Sequence, residues 1–227
     1  GIHGNFAMLG VFEKGKADVR FTARSNGGHA SAPPKNSPVA RLAAFVDSME
    51  KHPPFRKKFE PEVSAMFARL AAYAPFALRL LFGNLWLFAP LMKLVMPALS
   101  PQAGAMLRTT AAFTMLSGSD ACNVLPQEAS VWANLRFIPH QGMDESLALI
   151  KKRAEKYGIE TEVLSASDYS APADIHGEAW RRVTDTIAEV FPGLAWSPYV
   201  MTGATDAKNY QAICDNCIRF APVIYGP

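Results

Sequence analysis

The chain has 227 residues, 49% of them hydrophobic, and a formal net charge of +3 from 23 basic and 20 acidic residues. That length supports one large domain or two small ones with a real core. The charges are interspersed, with no basic block and no aromatic-basic interleaving, so nucleic acid is not an expected partner. Cys122, Cys214 and Cys217 are too few, and odd in number, for a disulfide framework, which points to a reducing, cytoplasmic setting.

In chain order, GIHGNFAMLGVFEKGK opens the sequence without the basic stretch, apolar run and cleavage site of a signal peptide. It reads as the end of a preceding segment, residues 1–15, just as the closing RFAPVIYGP reads as a cut into a longer fold. From Lys16 the pattern ADVRFTARS alternates, with Val19, Phe21 and Ala23 on one face of a strand. The loop SNGGHASAPPKNSP then carries one imidazole, His29, among residues that pack poorly. Ser37 and Pro38 cap and start a helix whose apolar stripe is Val39, Leu42, Ala43, Val46 and Met49, closed by HPP.

Residues 55–110 form a mainly helical stretch punctuated by prolines and read as an insertion. Its most hydrophobic window, Phe76 to Leu99, is long enough to be tested as a membrane span. Arg79, Asn84, Pro90, Lys93 and Pro97 argue against that, because charge deep in a span is costly. The pattern predicts helices broken at the prolines and buried in a lid, groove or subunit contact. Membrane contact is not expected, a membrane-surface patch being the alternative.

AAFTMLSG and EASVWANLRFIP then read as strands separated by SDACNVLPQ. MDESLALIKKRAEKYG reads as a helix with Leu147, Ile150, Ala154 and Tyr157 inward and Gly158 as its stop, and IETEVLSAS as a last strand. The order strand, helix, strand, strand, helix, strand predicts an α+β, ferredoxin-like βαββαβ domain over residues 16–167, with both helices on one side of the sheet. Residues 168–227 have a different, α/β character. Glu178 to Val190 reads as a helix, PYVM as a strand running into the GATDAK turn and a short helix, and CIRFAPV as another strand.

Several residues could carry chemistry. His29 could donate to a developing oxyanion or titrate near neutral pH, or be an idle loop residue. Arg136 shares a strand face with Trp132 and Asn134 and could clamp a carboxylate, or be a solvated sheet-face cation. The GATDAK turn, Gly203 to Lys208, could hold an anion on its backbone amides and the Thr205 hydroxyl, or be a plain helix cap. Cys214 and Cys217 form a lone C-x-x-C that could be redox-active or half a zinc site, but without a second pair it is read as structural.

Taken in order, GGHASAPP, NVLPQEASVWANLRFIP and TGATDAKNY…RFAPV resemble the di-zinc aminoacylase and carboxypeptidase family, which includes carboxypeptidase S, glutamate carboxypeptidase and succinyl-diaminopimelate desuccinylase. The helical insertion looks most like the carboxypeptidase S branch. The resemblance implies a metal-dependent amidohydrolase of two zinc ions acting on an N-acyl amino acid or small peptide. It makes this chain the lid, usually the homodimerisation domain, followed by part of a zinc-hydrolase catalytic domain, and inactive by itself.

By the same resemblance His29 is the lid histidine that stabilises the oxyanion, commonly in the neighbouring subunit's site. Asn123 and Arg136 hold the substrate and its carboxylate, and Gly203 and Thr205 line the same pocket. Lys208 departs from the arginine of many relatives. No metal ligand is assigned in this chain: the acidic ligand motifs are absent from it, and GIHG, with His3, stands at the wrong end for the last metal histidine. The other reading is a non-catalytic dimerisation or binding module on the same sheet.

Overall fold

A computed structural model describes residues 4–223, so His3 lies outside the described residues. In chain order the elements are β1 (Phe6–Glu13), β2 (Gly15–Arg24), β3 (Gly28–His29), α1 (Pro38–Lys51), α2 (Pro61–Ala71), α3 (Phe76–Gly83), α4 (Leu85–Leu99), α5 (Pro101–Ala105), β4 (Thr110–Ser117), β5 (Val124–Leu125), β6 (Glu128–Phe137), α6 (Met143–Glu155), β7 (Glu160–Ser167), α7 (Glu178–Val190), β8 (Ala195–Met201) and α8 (Ala207–Tyr210). The protein is mixed α and β and divides into two compact units, residues 15–56 with 109–168, and residues 1–14 with 57–108 and 169–227.

The first of these units is built on a four-stranded sheet of order β4-β6-β2-β7 with antiparallel neighbours. Alternation along β2 and β6 puts Val19, Phe21, Val131, Leu135 and Phe137 on one face, where they form a single core with Leu42, Phe45 and Met49 of α1 and Ile150 and Ala154 of α6. Both helices therefore cover the same face. Ser37 Oγ accepts from Ala40 N, 3.4 Å away, ahead of Pro38, and Gly158 ends the α6 segment in the left-handed region at φ 62°. The stripe of α1 differs from the expected one. Phe45 is fully buried while Val39 and Ala43 are exposed, because the face of α1 that meets the sheet is centred on Leu42, Phe45 and Met49. An additional two-residue pair, β3 with β5, falls inside stretches read as loops.

The second unit holds a parallel pair, β1 with β8. β1 is buried along nearly all its length, as parallel strands covered on both faces are. Helix α2 packs on β8, and Arg69 stacks over the Trp196 ring at 3.9 Å. CIRFAPV is not a strand. Only Arg219 of that stretch bridges, antiparallel to Gly10, so its apolar alternation serves a single crossing rather than a ladder. Nor do the prolines break Phe76 to Leu99. Pro90 and Pro97 lie within α4, and the interruption falls at Asn84, whose φ/ψ of −125°/45° is not helical. The expected burial of this stretch is also absent, since Phe76 and Trp86 are each 81% exposed. Among the described residues no single helix is long and apolar enough to cross a membrane; α3 and α4 qualify only together, and they are bent by 107°.

Candidate functional site

β2 delivers the chain to the sheet end at Arg24, and the following loop is tied down before it reaches the imidazole. Ser25 N donates to Gln127 O at 2.8 Å, Ser25 Oγ donates to Pro126 O at 2.9 Å, and Gly27 N donates to Ser25 Oγ at 3.0 Å. Gly27 sits at φ 68°, and a Cβ there would lie 2.8 Å from Gln127 Cγ, so the turn demands glycine. β3 then pairs His29 with Val124, and Ala30 N donates to Asn123 O at 3.0 Å. Two of the residues singled out, His29 and Asn123, are thus held side by side through their backbones, both on the surface.

The imidazole is oriented by Ser31. Its backbone N–H donates to His29 Nδ1 at 3.2 Å, and Ser31 Oγ lies 2.8 Å from the same nitrogen. A backbone amide can only donate, so Nδ1 is the acceptor and, in the neutral ring, the proton resides on Nε2. The exposed histidine therefore presents an N–H donor outward. The sequence reading missed Ser31, although a hydroxyl two residues after a loop histidine is a recognisable local partner.

Arg136 lies elsewhere. It pairs across the sheet with Lys16 and Thr110, whereas the His29 end of the sheet is marked by Arg24 opposite Glu128. Glu128 and Arg136 lie eight positions apart on β6, roughly 25 Å at the rise of an extended strand. On the face away from the core, Arg136 Nε donates to Asn134 Oδ1 at 2.9 Å, and Asn134 Nδ2 donates to Asp18 Oδ1 at 2.7 Å. Asp18 also accepts from Ser165 at 3.0 Å and pairs with Lys16 at 2.8 Å. The Lys16 hydrogen bond, followed by that of Asn134, holds the Asp18 carboxyl below its usual range. Asn134 is the only hydrogen-bond partner of the Arg136 side chain among the described residues, and it engages Nε alone, leaving the two terminal amino groups as the donors with which a guanidinium can bind a carboxylate.

In the other unit, the loop after β8 is anchored by a buried ion pair that the sequence reading did not find. Glu13, 1% exposed, accepts from Thr205 N at 2.8 Å, from the Thr205 hydroxyl, and from Arg219 Nε at 2.7 Å. Ser170 Oγ accepts from Glu13 N at 2.7 Å and from Arg219 Nη2 at 3.2 Å, closing the network. Burial pushes the Glu13 carboxyl up, but the Thr205 donors and then Arg219 outweigh it and hold the group below its usual range. The anion bound by the GATDAK amide and hydroxyl is thus the protein's own carboxylate, and Thr205 Oγ1 additionally accepts from Ala207 N at 3.2 Å. The one signal in the sequence was an acid and an arginine set in apolar strand-like runs, VFEKG and CIRFAPV. Gly203 is exposed, and a Cβ there would meet nothing within 4 Å, so packing does not require glycine at that point.

The cysteines are all free thiols. Burial pushes the Cys217 thiol up, Cys214 adds to the shift, and Cys217 Sγ lies 3.5 Å from Cys214 O, the environment of an inert structural thiol. Among the described residues no group of three or more His, Cys, Asp or Glu side chains could hold a metal ion, so the residues present here do not fit a zinc site.

With this geometry in view, the chain can be set beside known proteins. It is 32% identical over 225 residues to the N-fatty-acyl-amino acid synthase/hydrolase PM20D1 of Bos taurus, covering 98% of this chain and 44% of that protein. It is 28% identical to the probable carboxypeptidase S-like 2 of Dictyostelium discoideum, over 99% of this chain and 43% of that protein. The chain therefore spans less than half the length of these curated relatives. Among solved structures, aminopeptidase PepT from Bacillus cereus superposes with a TM-score of 0.57 at 17% identity, covering 96% of this chain and 46% of that one, a likeness of fold. The peptidase dimerisation domain family matches residues 11–162, which include the whole β4-β6-β2 core together with His29, Asn123 and Arg136, and on that match the chain belongs to the M20 peptidase dimerisation domain family.

Proposed function

We propose that residues 16–167, apart from the inserted helices of residues 57–108 that cluster with the other unit, are the ferredoxin-like dimerisation lid of an M20 amidohydrolase, that residues 168–227 belong to its catalytic domain, and that the complete protein hydrolyses an amide bond of an N-acyl amino acid or small peptide. The strand order β4-β6-β2-β7, with α1 and α6 on one face, supports the lid assignment. The names of the PM20D1 and carboxypeptidase S-like relatives support the reaction class, and an N-fatty-acyl amino acid is the substrate type we favour. Zinc comes from the family resemblance. Its ligands would be supplied by residues outside this chain, which would accordingly be inactive alone, and the free cysteines accord with a cytoplasmic setting.

His29 carries the reading. Its outward Nε2 proton, set by Ser31, would donate to the carbonyl oxygen as negative charge develops there, with Asn123 beside it holding the substrate. Arg136 would clamp the substrate carboxylate, and in the other unit Gly203 would meet substrate on a loop whose position Thr205 fixes through Glu13.

His29 and Arg136 lie too far apart along the sheet to serve one small substrate in one protomer. A second copy resolves this. β4 is an edge strand without a charged residue, TAAFTMLS, with Met115 and Leu116 exposed, and such edges invite pairing. Along β4, Thr110 marks the Arg136 end and Ser117, opposite Ser130, the His29 end. Antiparallel pairing of two β4 edges about a two-fold axis brings the His29 end of one copy alongside the Arg136 end of the other, so a homodimer would form composite sites. In the complete gene product, His29→Ala is expected to lower kcat about 10²–10³-fold with bound metal unchanged; undiminished turnover would remove His29 from the mechanism.

A further inference from the structure

Among the described residues, α3 and α4 carry a dense run of exposed large apolar side chains. α3 buries no residue, and α4 buries only Met92 and Met96. Phe76, Trp86, Leu94 and Leu99 are between 72% and 81% exposed. Helices apolar around most of their circumference belong inside a protein core or in lipid, and this pair is not in the core.

Charge decides between possible occupants. Between Glu62 and Asp120 the sequence contains no acidic residue, but it contains Arg69, Arg79, Lys93 and Arg108. The hairpin's few polar groups can satisfy themselves without water. Asn84 Nδ2 donates to Leu80 O at 2.9 Å, Arg79 Nη2 donates to Ala72 O at 3.3 Å, and the half-buried Lys93 has a stem long enough to reach a headgroup. At 1.5 Å per residue α3 and α4 are roughly 12 and 22 Å long, and with a 107° bend between them neither spans a hydrocarbon core of about 30 Å. Apolar bulk, aromatic anchors and cations without anions are the signature of helices that lie in a bilayer interface. We propose that α3 and α4 form an interfacial anchor that seats the protein on an anionic lipid surface. The sequence pattern favours burial here, with a membrane-surface patch as its alternative, and the exposure of α3 and α4 supports that alternative.

The test is co-flotation with vesicles of phosphatidylcholine alone and of phosphatidylcholine with phosphatidylglycerol at roughly 7:3, applied both to this chain and to the complete gene product that carries it. Binding to the anionic vesicles is expected to exceed binding to the neutral ones at least about tenfold at low salt and to weaken as salt rises. Trp86→Glu/Leu94→Glu is expected to abolish it, and Arg79→Glu/Lys93→Glu to abolish the preference for anionic lipid. All four positions reach solvent, so circular dichroism and thermal unfolding should match the parent and exclude misfolding as the cause. Equal binding to both vesicle types overturns the proposal. So does a complete gene product that ignores vesicles, as when its other residues cover the face. So does loss of self-association, rather than of lipid binding, in Trp86→Glu/Leu94→Glu, which would make the face a contact between copies.

Discussion

Mixing two inactive variants tests the composite site directly. Arg136 lies roughly 25 Å along β6 from Glu128, the end of the sheet from which the His29 loop departs. If each pocket takes its imidazole from one copy and its guanidinium from the other, His29→Ala and Arg136→Ala remove different halves of each pocket. In a heterodimer of the two variants, one pocket loses both groups and the other keeps both. Random reassortment of equal amounts makes half the dimers heterodimers, so about a quarter of wild-type activity should return from two variants that are each nearly inactive. The assay is turnover of the complete gene product after co-refolding or subunit exchange, against each variant alone. Asn123 supplies an internal control. Its backbone is bound to the His29 loop through Ala30 N, so Asn123→Ala should fail to complement His29→Ala while complementing Arg136→Ala. No recovery in the His29/Arg136 mixture, with subunit exchange verified by mass, would return both residues to a pocket within one subunit.

Two further outcomes follow from the same structure. Glu13→Gln should cost about 3–5 kcal/mol in denaturant unfolding, because it leaves Arg219, 8% exposed, buried against a neutral partner, and Glu13→Gln/Arg219→Met should recover part of the loss. Glu13 has a folded pKa below the ordinary 4.5, so its contribution is complete above that value and is lost as pH falls through the lowered one. The acid limb of stability against pH should be shallower in the variant, and an unchanged limb would rule out this network as its source. At the sheet edge, Leu116→Lys puts a charge on an exposed residue of β4 and should shift sedimentation from dimer toward monomer with unfolding temperature nearly unchanged; a dimer of undiminished affinity would place the interface elsewhere.

What local chemistry dictates was legible from residues alone. The alternation of β2 and β6, the Ser37 cap with Pro38 behind it, the Gly158 stop and the span of α7 all depend on neighbours within a few positions, and they appear where the pattern predicts them. The loop at His29 could likewise be marked as one that packs little, whereas the need for glycine at Gly27 came from its φ of 68° and the closeness of Gln127. Tertiary structure decided everything that depends on distant chain. Phe45 rather than Val39 enters the core because the sheet chooses which helix face it meets. CIRFAPV contributes one bridge and one arginine, because Glu13, over two hundred residues earlier, takes that arginine as its counterion. Phe76 to Leu99 stays at the surface although its composition alone argues for burial, since hydropathy measures what a segment would prefer and not whether the fold supplies a partner. The sequence also set Asn123 and Arg136 thirteen residues apart without revealing that the intervening strand carries them to opposite ends of one sheet. That separation follows from the rise of an extended chain, and it is why the pocket these residues are proposed to share calls for a second copy of the protein.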